Sequence, residues 1–397
     1  MRILALTARL PFPPNRGDRL RAYNFLKSLS REHEIHLVSF ITNYSELEHI
    51  NELRKYCHDI QVIKQSVWSS FFKVGTNLLK KTPLQVLYYA SRDMEWLIRS
   101  KLAQQSFDIA YIHLFRMAPY LENNHELYRI LDLTDIISRE ISRSIKYRAI
   151  PSRLLYLIEL PRIQQYERTI AKNFEEIWLI SSADREAFHV ASSSARIEII
   201  SNGIDTSRYF PSGEAIEQNS IIMTGHFNVP HNIDAAILLA RQVLPLVQTH
   251  IPSSKLYIVG AEPSNNVRKL NDLSGVEVTG YVHDLNSYLN RAAVFAAPLR
   301  FAAGIQNKIL EAMAAARPIV TTGIANDGIR ALPGEHILIS DTVQDMADKI
   351  IYLFQHPEIS QRIGYAARQF VINKYSWDTV LSRANQIAHS MEENGNS

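Results

Sequence analysis

The residues best suited to chemistry in this chain are gathered between Pro298 and Glu311. Val294–Ala297 reads as a buried strand, Pro298–Gly304 as a loop, and Asn307–Ala316 as a helix rich in strong helix formers. Arg300 and Lys308 could set two cations beside a diphosphate. Gly304 allows the backbone to approach a phosphate closely where the helix begins. Glu311 lies one turn beyond Lys308 on the same helix face. A carboxylate there can accept hydrogen bonds from two ribose hydroxyls at once. Ile305, Gln306 and Asn307 join Gly304 to Lys308 and are counted with the ligand-contacting stretch. The competing reading is an ordinary surface pair three residues apart.

Four other strand-end segments carry candidates. Pro11–Arg21 follows the first strand and contains Gly17, ahead of a helix whose free N–H groups favour an anion. Gly225-His226-Phe-Asn-Val-Pro-His-Asn232 follows another strand, and Asn228 or Asn232 could cap the next helix. Val278–Leu285 contains Tyr281 and could offer backbone groups to a nucleobase. His113 ends a strand, where a side chain meets ligand in an open α/β sheet. No G-x-G-x-x-G follows any strand, which argues against a dinucleotide-dependent dehydrogenase. Residues 64–101 carry seven Lys and Arg against two Asp and Glu, among Trp68, Phe71, Phe72, Tyr88, Tyr89 and Trp96. That mixture suits a membrane interface. It equally suits amphipathic helices packed on a domain.

The elements that must position these residues alternate along the chain. Arg2–Thr7, Glu34–Phe40, Asp108–His113, Tyr128–Leu133 and Glu176–Ile180 read as short buried strands separated by helical stretches such as Leu20–Leu29. Ser220–Thr224, Lys255–Val259, Val276–Val278, Val294–Ala297 and Pro318–Thr321 repeat the style. Such alternation predicts an α/β protein with two doubly wound parallel sheets. The junction falls in the turn-rich segment Ile200–Gly213. The expected domains are therefore 1–200 and 201–376.

The chain has 397 residues, enough for two cores. Cys57 is the single cysteine, which excludes an intrachain disulfide and a cysteine-based zinc site. The N-terminal apolar run is too short for a signal peptide, and no stretch approaches the roughly 18 apolar residues of a membrane span. These features point to the cytoplasm. Residues 1–200 hold 28 Lys and Arg against 22 Asp and Glu, whereas 201–397 hold 15 against 18. The basic half could face a membrane or a charged acceptor. Nothing suggests a nucleic-acid partner.

In motif order the chain resembles the retaining family-four glycosyltransferases of the GT-B fold. Ala303–Glu311 takes the place of their E-x7-E donor motif. Arg317-Pro-Ile-Val320 resembles their G-x-P-V-V, Ile200-Ser-Asn-Gly-Ile-Asp205 their P-N-G-V-D, and Tyr375-Ser-Trp377 the F/Y-S-W before their last helix. Pro11-Phe-Pro-Pro14, Gly17-Asp-Arg19, Leu131-Asp-Leu-Thr-Asp135 and Gly304-Ile-Gln-Asn-Lys-x-Leu-Glu-Ala-Met313 are closest to the branch tied to exopolysaccharide loci with exosortase-type sorting. The resemblance implies two facing Rossmann-like domains with a deep cleft between them, the N-terminal one completed by a last helix over 377–397. It implies a nucleotide diphosphate sugar, UDP- or GDP-linked, as donor for the C-terminal domain. A glycan or lipid-linked acceptor would bind the N-terminal domain. It implies retention at the anomeric carbon, no cofactor and no metal. Peripheral contact with the inner face of the membrane would run through 64–101.

The site residues implied are His113, Arg300 and Lys308 for catalysis. Those for the donor are Gly17, Gly225, His226, Tyr281, Gly304, Ile305, Gln306, Asn307, Lys308 and Glu311. Two departures stand out. The first acid of E-x7-E is Ala303, and the Arg…Lys pair usual after the first strand of the second domain is replaced by His226 and His231. Arg300 and Lys308 are the expected substitutes. The rival readings are a nucleotide-sugar epimerase using Asp132 and Asp135, and a non-catalytic nucleotide-sugar-binding protein.

Overall fold

The computed structural model describes residues 1–77, 80–148, 150–188 and 195–395, with side chains except those of Val67, Ser69, Phe71, Phe72 and 387–395. The Phe71 and Phe72 rings of the basic–aromatic stretch, its Leu78 and Leu79, and the last two residues of the expected terminal helix lie outside that description. The chain divides into two compact units. One is Met1–Ser201 with Leu381–Ser397, and the other is Asn202–Val380.

The first unit is built on seven parallel strands: β1 (Arg2–Thr7), β2 (Glu34–Ile41), β3 (Asp59–Lys64), β4 (Ile109–His113), β5 (Tyr128–Thr134), β6 (Glu176–Leu179) and β7 (Arg196–Ile199). Their order is β3-β2-β1-β4-β5-β6-β7. The chain runs outward from β1 in one direction and then restarts at β4 in the other, so the β1/β4 boundary is the topological switch point. Thr7 pairs with His113 there, at the carboxyl ends of both strands. Ile3–Leu6 and Ile109–Ile112 are buried throughout, as expected of central parallel strands covered on both faces. Helix α1 (Gly17–Leu29) follows β1, and α2 (Ile137–Ser144) and α3 (Ile150–Ile170) follow β5.

The second unit repeats the plan with six strands: β8 (Glu217–Thr224), β9 (Lys255–Val259), β10 (Val276–Gly280), β11 (Ala292–Ala297), β12 (Ile319–Thr321) and β13 (Leu338–Ile339). The order β10-β9-β8-β11-β12-β13 places its switch point between β8 and β11. Helix α4 (Pro230–Leu238) follows β8, and α5 (Asn307–Ala314) follows β11. The fold class is therefore two Rossmann-like doubly wound α/β units.

Three local expectations are corrected. Helix α5 stops at Ala314, because Ala316 adopts a left-handed φ of 56°. Neither Asn228 nor Asn232 caps α4. Its N-cap is Val229, which makes no side-chain cap, while the Asn232 amide donates to the His226 carbonyl oxygen at 2.9 Å. Strands β3 and β7 join the sheet at its edges, where the sequence showed no apolar run. Helix α6 (Trp377–Gly395) ends the chain, and from Leu381 on it groups with the first unit. Asn385 accepts there from Ser28 of α1 at 3.3 Å.

Candidate active site

In the second unit two of the three segments that bear candidates, those after β8 and β11, leave the sheet at the switch point. After β8 the chain turns at Gly225 (φ 158°), and a side chain at the neighbouring Gly260 would strike the Gly225 carbonyl oxygen at 1.9 Å. The two loops can touch backbone to backbone because Gly260 carries no Cβ, whereas a Cβ at Gly225 would press on the Asn232 side chain. Behind this turn the Thr224 hydroxyl and the Asn232 side-chain oxygen are buried without hydrogen-bond partners. His226 is half-buried, and His231 packs its ring edge-on against Phe301, 6.3 Å away. Burial, with the Lys308 charge nearby, pushes His231 down to about 3, so the ring is neutral at physiological pH.

After β11 the loop turns at Gly304 in the left-handed region (φ 60°) and delivers Gln306 as the N-cap of α5. The Gln306 side chain does not cap the helix. Its amide donates to the Ala303 carbonyl oxygen at 2.9 Å, and its oxygen accepts from Lys308 Nζ at 2.9 Å. The first N–H groups of the helix have no partner inside it. Lys308 is buried at the start of α5, where burial pulls it down to about 8 against the attraction of Glu311. One turn on, burial raises Glu311 to about 6, opposed by Arg208, Lys308 and a hydrogen bond from Tyr209. At neutral pH the site thus holds one buried cation, mostly protonated, and one carboxylate, mostly ionised. Ile305 is buried, and Asn307 accepts from the Asn202 amide at 3.4 Å.

Arg300 is placed differently from the expectation of a cation committed to ligand. Its guanidinium clasps the carboxylate of Asp234 on α4, with Nε at 2.8 Å from Oδ2 and Nη2 bonded to Oδ1. The pair is half-exposed and ties the post-β11 loop to the post-β8 helix. Tyr281 lies just beyond β10, largely exposed, with its ring edge-on to His283 at 5.2 Å. Arg208 and Tyr209 were missed from the sequence. They lie about a hundred positions before Glu311, in no recognisable spacing with it.

In the first unit His113 ends β4 and is buried. Burial pulls it down to about 4, against Asp132 and Asp18, so it is a neutral hydrogen-bonding ring at pH 7. Its ring stacks on Tyr111, and Nε2 lies 3.4 Å from the Thr134 hydroxyl. Gly17 is the exposed first residue of α1, after the loop from β1. The two carboxylates weighed for epimerase chemistry differ sharply. Asp132 accepts from Arg21 Nε and from the Tyr111 hydroxyl, both at 2.7 Å, and from the Thr134 N–H at 3.2 Å. Despite full burial, the Arg21 charge, with the hydrogen bonds from Arg21 and Tyr111, holds it ionised below its usual range. Arg21 in turn donates to the carbonyl oxygens of Ile200 at 2.8 Å and Ser201 at 3.1 Å. Asp132 is therefore a structural anchor with no capacity for proton transfer near neutrality. Asp135 is raised to about 8 by burial and by Asp184 and Glu140, and one of its oxygens has no partner.

Residues 218–356 match the family model described as Glycosyl transferases group 1. An uncharacterized 44.6 kDa protein from the cps region of Klebsiella pneumoniae is 21% identical over 96% of this chain and 98% of its own length. A GDP-mannose-dependent alpha-(1-6)-phosphatidylinositol monomannoside mannosyltransferase of Mycobacterium tuberculosis is 25% identical, over 56% of this chain and 64% of that protein. Among solved structures, sucrose-phosphate synthase from Thermosynechococcus elongatus superposes with a TM-score of 0.73 at 13% identity, covering 99% of this chain and all of that one. The Anabaena protein HepE in complex with UDP and glucose superposes with a TM-score of 0.69 at 14% identity, covering 98% and 100%.

Proposed function

We propose that this chain, a glycosyltransferase of the GT-B fold with a group 1 domain at 218–356, moves a sugar from a nucleotide diphosphate sugar to a glycan or lipid-linked acceptor with retention at the anomeric carbon. The observation that carries the reading is the buried Lys308–Glu311 pair at the start of α5, beside the second unit's switch point. It sets a desolvated cation where a diphosphate meets helix N–H groups, and a carboxylate one turn on for the ribose.

The C1–O bond to the diphosphate breaks, and its electron pair leaves on the phosphate oxygen. Lys308 and the α5 N–H groups stabilise that growing charge, with neutral His231 as a further hydrogen-bond partner. The acceptor hydroxyl attacks the face the diphosphate leaves, and its proton passes to the departing phosphate oxygen. No separate base and no metal is needed. Gly225, His226, Gly304, Ile305, Gln306 and Asn307 shape the donor pocket, and Tyr281 borders it. Arg300 contributes through its clasp of Asp234, which fixes the post-β11 loop to α4. The first unit takes the acceptor, with His113 as a neutral hydrogen-bonding group and Gly17 at a helix start suited to phosphate.

The donor is UDP- or GDP-linked. The product belongs to exopolysaccharide or another cell-surface glycan, made in the cytoplasm. The cps-region relative, alike over nearly its whole length, supports that setting. The test is transfer from labelled UDP- and GDP-sugars to lipid-linked acceptors, with the anomer of the product read by NMR. Product with the donor's anomeric configuration supports the reading. An isomerised free donor would support the epimerase, and binding without turnover a non-catalytic protein.

A further inference from the structure

Helix α3 (Ile150–Ile170) carries its apolar residues on two opposite sides. At 100° per residue, Glu159, Ile163, Glu167 and Ile170 share one side, and all four are buried. That side is fastened to the unit. The Glu159 carboxylate accepts from the Leu84 N–H at 2.6 Å, and Glu167 accepts from the Ser138 N–H at 3.1 Å and its hydroxyl at 2.5 Å. Ile150, Leu154, Leu157 and Ile158 share the opposite side, and each is between 51% and 74% exposed, while Leu155, 44% exposed, lies on the flank one turn before Glu159. With the exposed Pro161 those four form an aliphatic strip roughly 16 Å long. A helix on a water-soluble surface normally turns charged and polar residues outward. Scattered exposed aliphatic side chains are ordinary, whereas four on one helix face are not.

The charges around the strip say what covers it. Between Ile141 and Ile170 the basic residues are Arg143, Lys146, Arg148, Arg153, Arg162 and Arg168. The only acids there are Glu159 and Glu167, both turned inward and buried. Lys146, Arg153 and Arg168 are exposed. The outward surface is thus aliphatic and exclusively positive where it is charged, which suits the headgroup and upper acyl layer of an anionic bilayer. The stretch 64–101 fits less well among its described residues. Lys101 is buried against Asp59, Lys73 donates to the Ala90 carbonyl oxygen, and Arg99 pairs with Glu95. No helix among the described residues is long and apolar enough to cross a membrane.

We infer that α3 is a membrane-docking helix whose outward strip lies in the surface of a bilayer containing anionic phospholipid. None of these residues is assigned to the donor, so the test needs no transfer reaction. Full-length protein is sedimented with sucrose-loaded vesicles of phosphatidylcholine alone, or with about a third phosphatidylglycerol. The expected result is partitioning at least tenfold stronger onto the anionic vesicles, weakening as salt is raised. Leu154→Glu with Ile158→Glu should reduce binding at least tenfold, and Arg153→Glu by a smaller factor. Both variants change exposed side chains, so their melting temperatures should stay at the wild-type value, which separates lost docking from lost folding. Equal binding to neutral and anionic vesicles, or no binding to either, would overturn the inference. So would a wild-type dimer by light scattering that the double variant converts to monomer without any change in vesicle binding, since the strip would then cover a second copy of the chain.

Discussion

Lys308→Met should make the ligand-free protein more stable while crippling donor binding. Lys308 is drawn down from 10.5 to about 8 in the folded state, chiefly by burial. Each unit corresponds to 1.36 kcal/mol, so holding the charged amine in place costs about 3 kcal/mol near pH 7. Methionine matches the stem and removes that cost, but it takes from Glu311 one of the two cations, Arg208 and Lys308, that favour its ionised form. With Glu311 already at about 6, its protonation offsets roughly 1 kcal/mol, leaving a net gain of about 1–2 kcal/mol. For a unit the size of Asn202–Val380 this raises the melting temperature by about 2–8 °C. The sign with pH is also fixed. A lysine lowered on folding destabilises the protein below its folded value, and the penalty fades as pH rises from about 8 toward 10.5. The gap between wild type and variant should therefore close across that window. Nucleotide affinity should fall on the order of 100-fold, because a desolvated charge-assisted bond to phosphate is lost. Differential scanning calorimetry from pH 6.5 to 10, without nucleotide and then with UDP or GDP at saturation, measures both effects. A variant that melts below wild type at pH 7, or that keeps wild-type nucleotide affinity, would refute the assignment of Lys308 as a functional cation held against its own stability.

Three further outcomes follow from the same geometry. Because Glu311 must be ionised and Lys308 protonated, kcat/KM should be bell-shaped with limbs near 6 and 8, and Glu311→Gln should flatten the acid limb. A wild-type profile flat from pH 5 to 9 would count against both roles. Asp132→Asn leaves the buried Arg21 guanidinium without its counter-charge, a loss of about 3–5 kcal/mol and roughly 10 °C in the first unit, read by thermal melting. An unchanged melt would show that the pair does not anchor α1 to β5. Arg300→Ala breaks a half-exposed ion pair worth about 0–1 kcal/mol, so stability should hardly move while turnover drops by an order of magnitude or more. Turnover at the wild-type rate would remove Arg300 from the site.

The two sheets were legible because their central strands are buried on both faces and read as apolar runs. Ile3–Leu6 and Val294–Ala297 are such runs, and each is followed by a loop with Gly or Pro. The edge strands β3 and β7 were not legible. Asp-Ile-Gln-Val-Ile-Lys and Arg-Ile-Glu-Ile alternate polar and apolar residues, which any half-exposed segment can do. Strand β11 begins two residues earlier than its valine signals, at Ala292–Ala293, because alanine favours helices and conceals a strand. In the candidate site the positions of Arg300, Lys308 and Glu311 were readable, but their environments were not. Nothing in the spelling of the segment distinguishes a buried lysine from an exposed one. Nor does it show that Arg300 meets Asp234, or that Tyr209 reaches Glu311, since both contacts come from chain folding over long separations. The outward leucines of α3 likewise conceal its inner face, because apolar residues on both sides cancel the periodicity that marks a surface helix.

The central claim is that Lys308 and Glu311 hold a nucleotide diphosphate sugar. Calorimetric titration of a panel of UDP- and GDP-sugars into wild type, Lys308→Met and Glu311→Gln tests it most directly. The account predicts that one nucleotide class binds the wild type stoichiometrically, that the methionine variant loses the phosphate contribution, and that the glutamine variant loses the ribose contribution. Binding that is the same in all three proteins, or absent from folded wild type for every nucleotide sugar, would contradict it.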